Sequence, residues 1–545
     1  MAEHPVLRID DLHVSAGRGV NAPAILKGIS LSIAAGETLC LVGESGSGKS
    51  VTSLATMGLL PKNILVPKSG RILLEGQDIL ASAERQIKAL RANRMAMIFQ
   101  EPMTALNPVM PVGRQIEEVL QAHTRLGASE RRKKVLDMLD QVHLPEIERV
   151  YRSFPHQLSG GQRQRIVIAM ALVLQPKLLI ADEPTTALDV TTQKEILRLI
   201  EELQTQHGTS VLFITHDMGV VADIADRVCV MHHGNIVETA AIDDLLRAPK
   251  TDYTRKLLSA VPSLIARPAR PEHSAEIVLE AIELNKTYGV RGWRKKAPTP
   301  AAADVNFTLK RGRTLGIVGE SGSGKSTVAR CVMRLIDPTS GGIRVKGYDI
   351  SDLQRPALQA HRKRIQIIFQ DPYRSLNPRI TVGESISEGP TNFGVAPSAA
   401  LARASELLAL VGLPPDAIDR YPHQFSGGQR QRIAIARALA MAPDVLVADE
   451  AVSALDVSVQ AQVLALLDDL QQRLGIALLF ITHDLRVAAQ ICDDVAVMQH
   501  GGVVEAGPAH SVLMQPQMPY TRSLIEAAPG RRWDFANFRP LAHAA

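Results

Sequence analysis

The chain contains itself twice, and no other feature restricts its architecture as much. GESGSGKS occupies 43–50 and returns at 319–326, SGGQRQRI occupies 159–166 and returns at 426–433, and FITHD occupies 213–217 and returns at 480–484. Solenoid periods run to about 20–50 residues, so repetition on this scale means two copies of one domain. A length of 545 residues accommodates two large domains. Between the copies lies PSLIARPARPEHSAE, Pro262 to Glu276, rich in proline and alanine and mixed in charge. That is the composition of a short exposed linker. The expected division is a first domain over 1–262, a linker over 263–275 and a second domain over 276–545.

Composition excludes several classes. Apolar residues make up 46% and charged residues 21%, which is ordinary for a globular protein and rules out a disordered, collagen-like or coiled-coil chain. A net charge of +5 is too diffuse to imply nucleic acid, and 3% aromatics argues against stacking platforms for single strands. Cys40, Cys229, Cys331 and Cys492 form no CxxC pair, so neither a zinc site nor a disulfide framework is indicated and a reducing compartment fits. MAEHPVLRIDDLHV lacks the apolar core of a signal peptide. No uncharged apolar run approaches the roughly 18–20 residues that span a bilayer.

Each copy has the same order of elements. A β-rich start ends in a glycine-rich loop and a helix, and a mostly helical stretch follows. Then come the helix of GGQRQRI, an apolar strand (KLLIADE or DVLVADE), another helix and another apolar strand ending in FITHD. Apolar runs without alternation predict strands buried on both faces, hence a parallel sheet flanked by helices. The expected fold class is α/β with an inserted helical subdomain.

Gly43, Gly48, Lys49 and Ser50, and again Gly319, Gly324, Lys325 and Ser326, satisfy GxxxxGKS after an apolar strand and before a helix. Glycines let backbone N–H groups wrap phosphate oxygens, the helix turns its positive end toward them, the lysine reaches the outer phosphates and the serine hydroxyl ligates Mg²⁺. The expected nucleotide-binding set is Gly43, Glu44, Ser45, Gly46, Ser47, Gly48, Lys49, Ser50 and Val51, with Gly319, Glu320, Ser321, Gly322, Ser323, Gly324, Lys325, Ser326 and Thr327 in the second copy. Asp182–Glu183 and Asp449–Glu450 each close a buried strand. Successive side chains leave a strand on opposite sides, so the two carboxylates have different work. The aspartate is expected to hold the Mg²⁺ shell and the glutamate to orient and deprotonate the attacking water.

LSGGQ at 158–162 and FSGGQ at 425–429 complete a pattern that resembles the ATP-binding cassette ATPases over nearly all of both halves. The resemblance implies two tandem P-loop nucleotide-binding domains, each with a RecA-like core, an antiparallel β subdomain and a helical subdomain. It implies ATP with Mg²⁺, and head-to-tail pairing of the two cassettes within one chain. One composite site would join Lys49 and Glu183 to Ser426, Gly427, Gly428 and Gln429; the other would join Lys325 and Glu450 to Ser159, Gly160, Gly161 and Gln162. By the same resemblance Gln100 and Gln370 sense Mg²⁺ and the attacking water, His216 and His483 are the switch histidines, and Asp189 and Asp456 lie in the loop that communicates across the pair. Tyr288 matches the aromatic that stacks on adenine, whereas the first copy has Ala16 there. Ala451 stands where the first copy has Pro184, and Phe425 replaces the usual leucine. None of these departures removes a catalytic group. The pair His232–His233 recurs only as Gln499–His500 and reads as a solvated turn.

PMTALNP (102–108), PYRSLNP (372–378), FPHQLSGGQRQR and YPHQFSGGQRQR, with the tails DYTRKLLSAVP and PYTRSLIEAAP, resemble the dipeptide and oligopeptide importer ATPases. Fusion of two cassettes resembles those of glutathione and of microcin C or small-peptide importers. The family implies two integral membrane permease subunits, an extracytoplasmic solute-binding protein, no nucleic acid, and a peripheral position on the cytoplasmic face of a bacterial inner membrane. A peptide-importer tail is expected over 516–545; many relatives carry a cysteine cluster for an iron–sulfur centre after such a tail, but here the first tail passes into ARPARPEH without a cysteine, so no cluster is expected. Import of nickel, opines or another non-peptide solute is the alternative. A soluble tandem-cassette translation factor is disfavoured, because its long charged helical linker cannot form from a segment holding Pro262, Pro268 and Pro271.

Overall fold

Three apolar strands of the first copy, Thr38–Val42, Leu178–Asp182 and Ser210–Thr215, are buried at every residue. Such strands belong in the middle of a sheet covered on both faces, and a computed structural model of the chain puts them there. It describes residues 5–19, 21–99, 105–185, 188–271, 274–289 and 299–541. The sheet runs Asn235–Ala241, Arg227–His232, Thr38–Val42, Ser210–Thr215, Leu178–Asp182, Met95–Ile98. All neighbours are parallel except the terminal hairpin Arg227–His232/Asn235–Ala241. A four-stranded antiparallel sheet, in the order Ala24–Ile33, Leu7–Ala16, Leu65–Leu74, Gln77–Asp78, lies beside it. Leu7, Ile9 and Leu31 of that sheet share one core with Leu39, Leu41, Ile180 and Ile214 of the parallel sheet. Each such leucine or isoleucine contributes about 1.5–3 kcal/mol by its burial.

The second copy repeats the plan. Its parallel sheet is ordered Ile365–Ile368, Val445–Asp449, Ala477–Thr482, Thr314–Val318, Asp494–Gln499, Gly502–Pro508. Its antiparallel sheet is ordered Thr299–Lys310, Ile277–Tyr288, Ser340–Val345, Tyr348–Asp349.

The expected helical subdomain is present in both copies. In the first, Val112–His123, Ala128–Gln141 and Ile147–Arg152 pack on one another. Gly113 makes the close approach there: a Cβ would stand 2.2 Å from the Tyr151 ring. In the second, Val382–Asn392 and Pro397–Leu410 pack together.

Two compact units divide the chain, Met1–Val261 with Arg532–Ala545, and Pro262–Arg531. Two details differ from what composition suggested. The proline-rich segment after residue 261 is exposed at Ile265, Pro268, Ala269 and Pro271, as expected, but it is also anchored to the second unit: Ala266 is buried, and the Arg267 amide donates to the Ala489 carbonyl at 2.9 Å. The last described residues fold with the first unit. Trp533–Asp534 pairs with Arg539–Pro540, Phe535 is 2% exposed, and the Arg247 guanidinium sits 5.5 Å over the Trp533 ring. Among the described residues no helix is long and apolar enough to cross a membrane.

Candidate nucleotide site

In each copy the central strand runs into a loop and then a helix, Lys49–Thr56 or Lys325–Val332. The loop closes only with glycine. Gly43 has φ +151° and Gly319 φ +149°, and a Cβ on either would meet a backbone carbonyl (Met231 or Met498) at 2.3 Å. Gly48 and Gly324 are left-handed at the helix N-caps. The lysine ammonium groups fold back over the loops: Lys49 donates to the Gly43 and Glu44 carbonyls at 2.7 and 2.9 Å, and Lys325 to Gly319 and Glu320 at 2.7 and 2.8 Å. In the second unit Ser321, Gly322, Gly324, Lys325, Ser326, Thr327 and Glu450 line a cavity of ≈190 Å³.

The adjacent strand end supplies the acids. Ser50 Oγ donates to Asp182 Oδ1 at 3.5 Å and Ser326 Oγ to Asp449 Oδ1 at 3.1 Å. Burial pushes both aspartates above the usual carboxylate range, against the hydrogen bonds from Ser50, Ser53 or Ser326. A buried carboxylate beside a hydroxyl, at the mouth of a loop of backbone donors, suits a divalent cation bound with a polyphosphate. The residues present therefore fit Mg²⁺.

Glu183 and Glu450 follow these aspartates with φ +49° each. A left-handed glutamate is strained backbone, and both copies keep it. The conformation is fixed from behind, since the Glu183 and Glu450 amides donate to Ile214 and Ile481 at 2.8 and 2.9 Å. It turns the carboxylates toward the histidines after the next strand: His216 Nδ1 lies 3.1 Å from Glu183 Oε1 and His483 Nδ1 3.3 Å from Glu450 Oε1. Gln370 Nε2 donates to Glu450 Oε2 at 2.7 Å. Burial opposes charge on both members of the second pair. The bond and charge of His483 nevertheless hold Glu450 below its ordinary range, and Glu450 holds His483 above its own. Gln100 lies outside the described residues.

The SGGQ segments begin the helices Gly160–Leu172 and Gly427–Leu439 and are not members of this cluster in their own units. Ser159 and Ser426 cap those helices, accepting from the Gln162 and Gln429 amides at 3.2 and 3.4 Å. The two glutamine side chains accept back from the serine amides at 3.0 Å. The second glycine is needed for packing: a Cβ on Gly161 would meet Thr192 at 2.6 Å, and one on Gly428 would meet Val459 at 2.3 Å. Phe425 is buried as Leu158 is. Asp189 caps the helix Val190–His207 through the Thr192 amide, and Asp456 precedes Val457–Leu474. Tyr288 is half exposed, with Lys286 Nζ 5.4 Å over its ring.

One pair of residues near the phosphate loops was missed. Tyr253 Oη accepts from the Glu44 amide and Tyr520 Oη from the Glu320 amide, both at 3.3 Å. Glutamates on the edge hairpin aim these tyrosines. Glu238 accepts from the Lys250 and Thr251 amides, and Glu505 from those of Gln517 and Met518, just ahead of the helices that carry them. Nor is His232 a solvated turn residue: it stacks on Tyr253 with ring centroids 3.9 Å apart. The recurrence of DYTR and PYTR was the available signal.

Comparison with known proteins shows the family. The family model "ABC transporter" matches residues 26–186 and 302–453, and "Oligopeptide/dipeptide transporter, C-terminal region" matches 237–289 and 504–537. The chain is 46% identical to the peptidoglycan transport ATP-binding protein YejF of Agrobacterium fabrum, covering 96% of each chain. It is 47% identical to the glutathione import ATP-binding protein GsiA of Escherichia coli K12, covering 96% of this chain and 89% of that one. Among solved structures, the dimeric ATP-binding cassette MJ0796 bound to ADP and Pi aligns at 29% identity with a TM-score of 0.39, over 42% of this chain and 98% of that one.

Proposed function

The chain belongs to the ABC transporter family, and from that premise we propose that it is the motor of a small-peptide importer, hydrolysing ATP at two sites. The observation that carries the peptide reading is the match of both halves to the peptide-transporter C-terminal region. Relatives named for glutathione and peptidoglycan transport support it. Two integral permease subunits on a bacterial inner membrane and an external solute-binding protein are the partners this reading implies.

The chemistry follows from the placement of the side chains. The loop amides of 43–50 and 319–326 receive the phosphates of ATP, and Lys49 and Lys325 exchange their carbonyl partners for the outer phosphate oxygens. Ser50 with Asp182, and Ser326 with Asp449, hold Mg²⁺, which when bound neutralises charge on the phosphate oxygens. Glu183 and Glu450 accept a proton from water as its oxygen attacks the γ-phosphorus and the bond to the ADP oxygen breaks. His216 and His483 keep those carboxylates oriented, and Gln370 does so from the other side in the second unit. A base of this kind supplies about 10²–10⁴-fold in rate. The signature segments Ser159–Gln162 and Ser426–Gln429 complete the sites of the opposite cassette. Closure of the pair on ATP then drives the permeases, because the nucleotide binds the closed state more tightly than the open one.

The test is solute depletion read by mass spectrometry, in cells lacking other peptide importers. The medium contains di- to hexapeptides, glutathione and nickel, and wild type is compared with the double variant Glu183→Gln, Glu450→Gln. The expected result is that a set of peptides persists only with the variant. Equal peptide uptake by both, with a difference confined to nickel, would overturn the peptide reading.

A further inference from the structure

The internal repeat allows one unit to be compared with the other, and the comparison exposes a pocket that is filled in the second unit by the chain's own arginines. There, Asp493 receives Arg270 Nη2 at 2.6 Å and Nε at 2.9 Å, and pairs with Arg267 Nη2 at 2.8 Å. Asp468 pairs with Arg267 Nη1 at 2.8 Å, and Gln471 Oε1 accepts from Arg270 Nη1 at 2.9 Å. The two arginines come from Arg267-Pro-Ala-Arg270, held along the rim by the bond from the Arg267 amide to Ala489.

In the repeat register that carries FITHD 213–217 onto 480–484, the counterparts of Asp468, Gln471, Ala489 and Asp493 are Glu201, Gln204, Ala222 and Asp226. The scaffold behind them is the same. Asp226 accepts from the Thr38 amide at 2.8 Å as Asp493 does from Thr314, and Gln204 Nε2 donates to the Gly36 carbonyl as Gln471 Nε2 does to Gly312. In the first unit, however, Glu201, Gln204 and Asp226 line a cavity of ≈330 Å³. A glutamine switch marks the difference. Gln204 Oε1 accepts from Thr38 Oγ1 at 2.9 Å, whereas Gln471 Oε1 has gone to Arg270 and the buried Thr314 hydroxyl has no partner among the described residues.

We propose that the Glu201–Gln204–Asp226 pocket of the first unit is a receptor for an extended Arg-x-x-Arg segment of another protein chain. The chemistry selects arginine. A planar guanidinium can bridge two carboxylates and a glutamine oxygen at once, as Arg270 does, while a lysine ammonium offers only a point charge. The second unit shows that these residue types close on that segment. The carboxylate from the helix Val190–His207 and the one at the start of Arg227–His232 are presented in the same order, with glutamate replacing aspartate at one position.

The probe is a fluorescein-labelled peptide Ala-Arg-Pro-Ala-Arg-Pro, residues 266–271, titrated with the full chain and read by fluorescence anisotropy. The expected result is one saturable site with a dissociation constant below about 1 mM, equivalent to about 4.1 kcal/mol. It weakens about tenfold in Glu201→Gln, weakens with added salt, is absent for the peptide with both arginines replaced by glutamine, and is unchanged in Asp468→Asn. Glu201 is exposed, so its substitution leaves folding intact. Absence of saturation, binding indifferent to Glu201→Gln, or binding lost in Asp468→Asn instead would each overturn the proposal.

Discussion

Gln164 and Gln431 occupy the same place in the repeat and are both about fully buried, yet their amides have different fates. Gln164 Nε2 donates to the Pro184 carbonyl at 2.5 Å, next to Glu183. In the second unit Ala451 stands for Pro184, and among the described residues neither amide atom of Gln431, 0% exposed, has a partner. A buried polar group without a partner costs about 1–3 kcal/mol, whereas a bonded one contributes about 0.5–1.5. Methionine conserves the volume. Gln431→Met is therefore expected to stabilise the second unit by about 1–3 kcal/mol. Gln164→Met removes one bond and strands the Pro184 carbonyl; partly offset by loss of its own unbonded Oε1, it is expected to destabilise the first unit by about 1 kcal/mol. Hydrogen exchange resolves the units separately, read at the strands Leu178–Asp182 and Val445–Asp449 along a urea series. Shifts of the same sign in both units, or a Gln431→Met protein less stable by more than about 1 kcal/mol, would refute the reasoning.

Further outcomes follow from the same geometry. Gly43→Ala and Gly319→Ala should each abolish nucleotide binding at their own loop, because the added methyl meets a backbone carbonyl at 2.3 Å; equilibrium binding of a fluorescent ATP analogue would fall to one site in either variant. Tyr253→Phe and Tyr520→Phe each remove one acceptor from a phosphate-loop amide and should raise the KM for ATP about 2–10-fold with kcat nearly unchanged, the equivalent of one hydrogen bond. The Asp493 side chain, 1% exposed, is pushed up by burial, but the arginines and the Thr314 amide outweigh this and hold it below its ordinary 3.8. A depressed carboxylate contributes stability that is present above the unfolded value and is lost as pH falls through the folded one. Exchange protection of the Arg267 amide should thus persist at neutral pH and fall only below 3.8, and Asp493→Ala should cost about 1.5–3 kcal/mol, because both guanidinium groups and the Thr314 amide lose this carboxylate while Asp468 and Gln471 remain partners of the arginines.

The phosphate loops, the Asp–Glu strand ends, the histidines and the capped SGGQ helices were legible in the sequence because each is a short run whose spacing dictates its geometry. What escaped notice depends on contacts between distant residues. ARPARP looks solvated by composition, yet Arg267 and Arg270 find carboxylates about two hundred residues away. His232 sits in a turn signal, but Tyr253 supplies a ring to stack on. Residues 532–541 follow the second copy in sequence and fold with the first unit through Phe535 and Trp533. The strained φ at Glu183 and Glu450 could not be read either: glutamate rarely adopts it, and it is held by contacts with distant residues, the bonds of its amide to Ile214 or Ile481 among them.

The central claim is that Glu183 and Glu450 are the bases of two working sites. It is tested most directly by phosphate release from the purified full chain with saturating ATP and Mg²⁺, for wild type, Glu183→Gln, Glu450→Gln and the double variant, with ATP binding measured alongside. The account predicts that all four bind ATP and that the double variant releases phosphate about 10²–10⁴-fold more slowly. A double variant that turns over at the wild-type rate while binding ATP normally would contradict it.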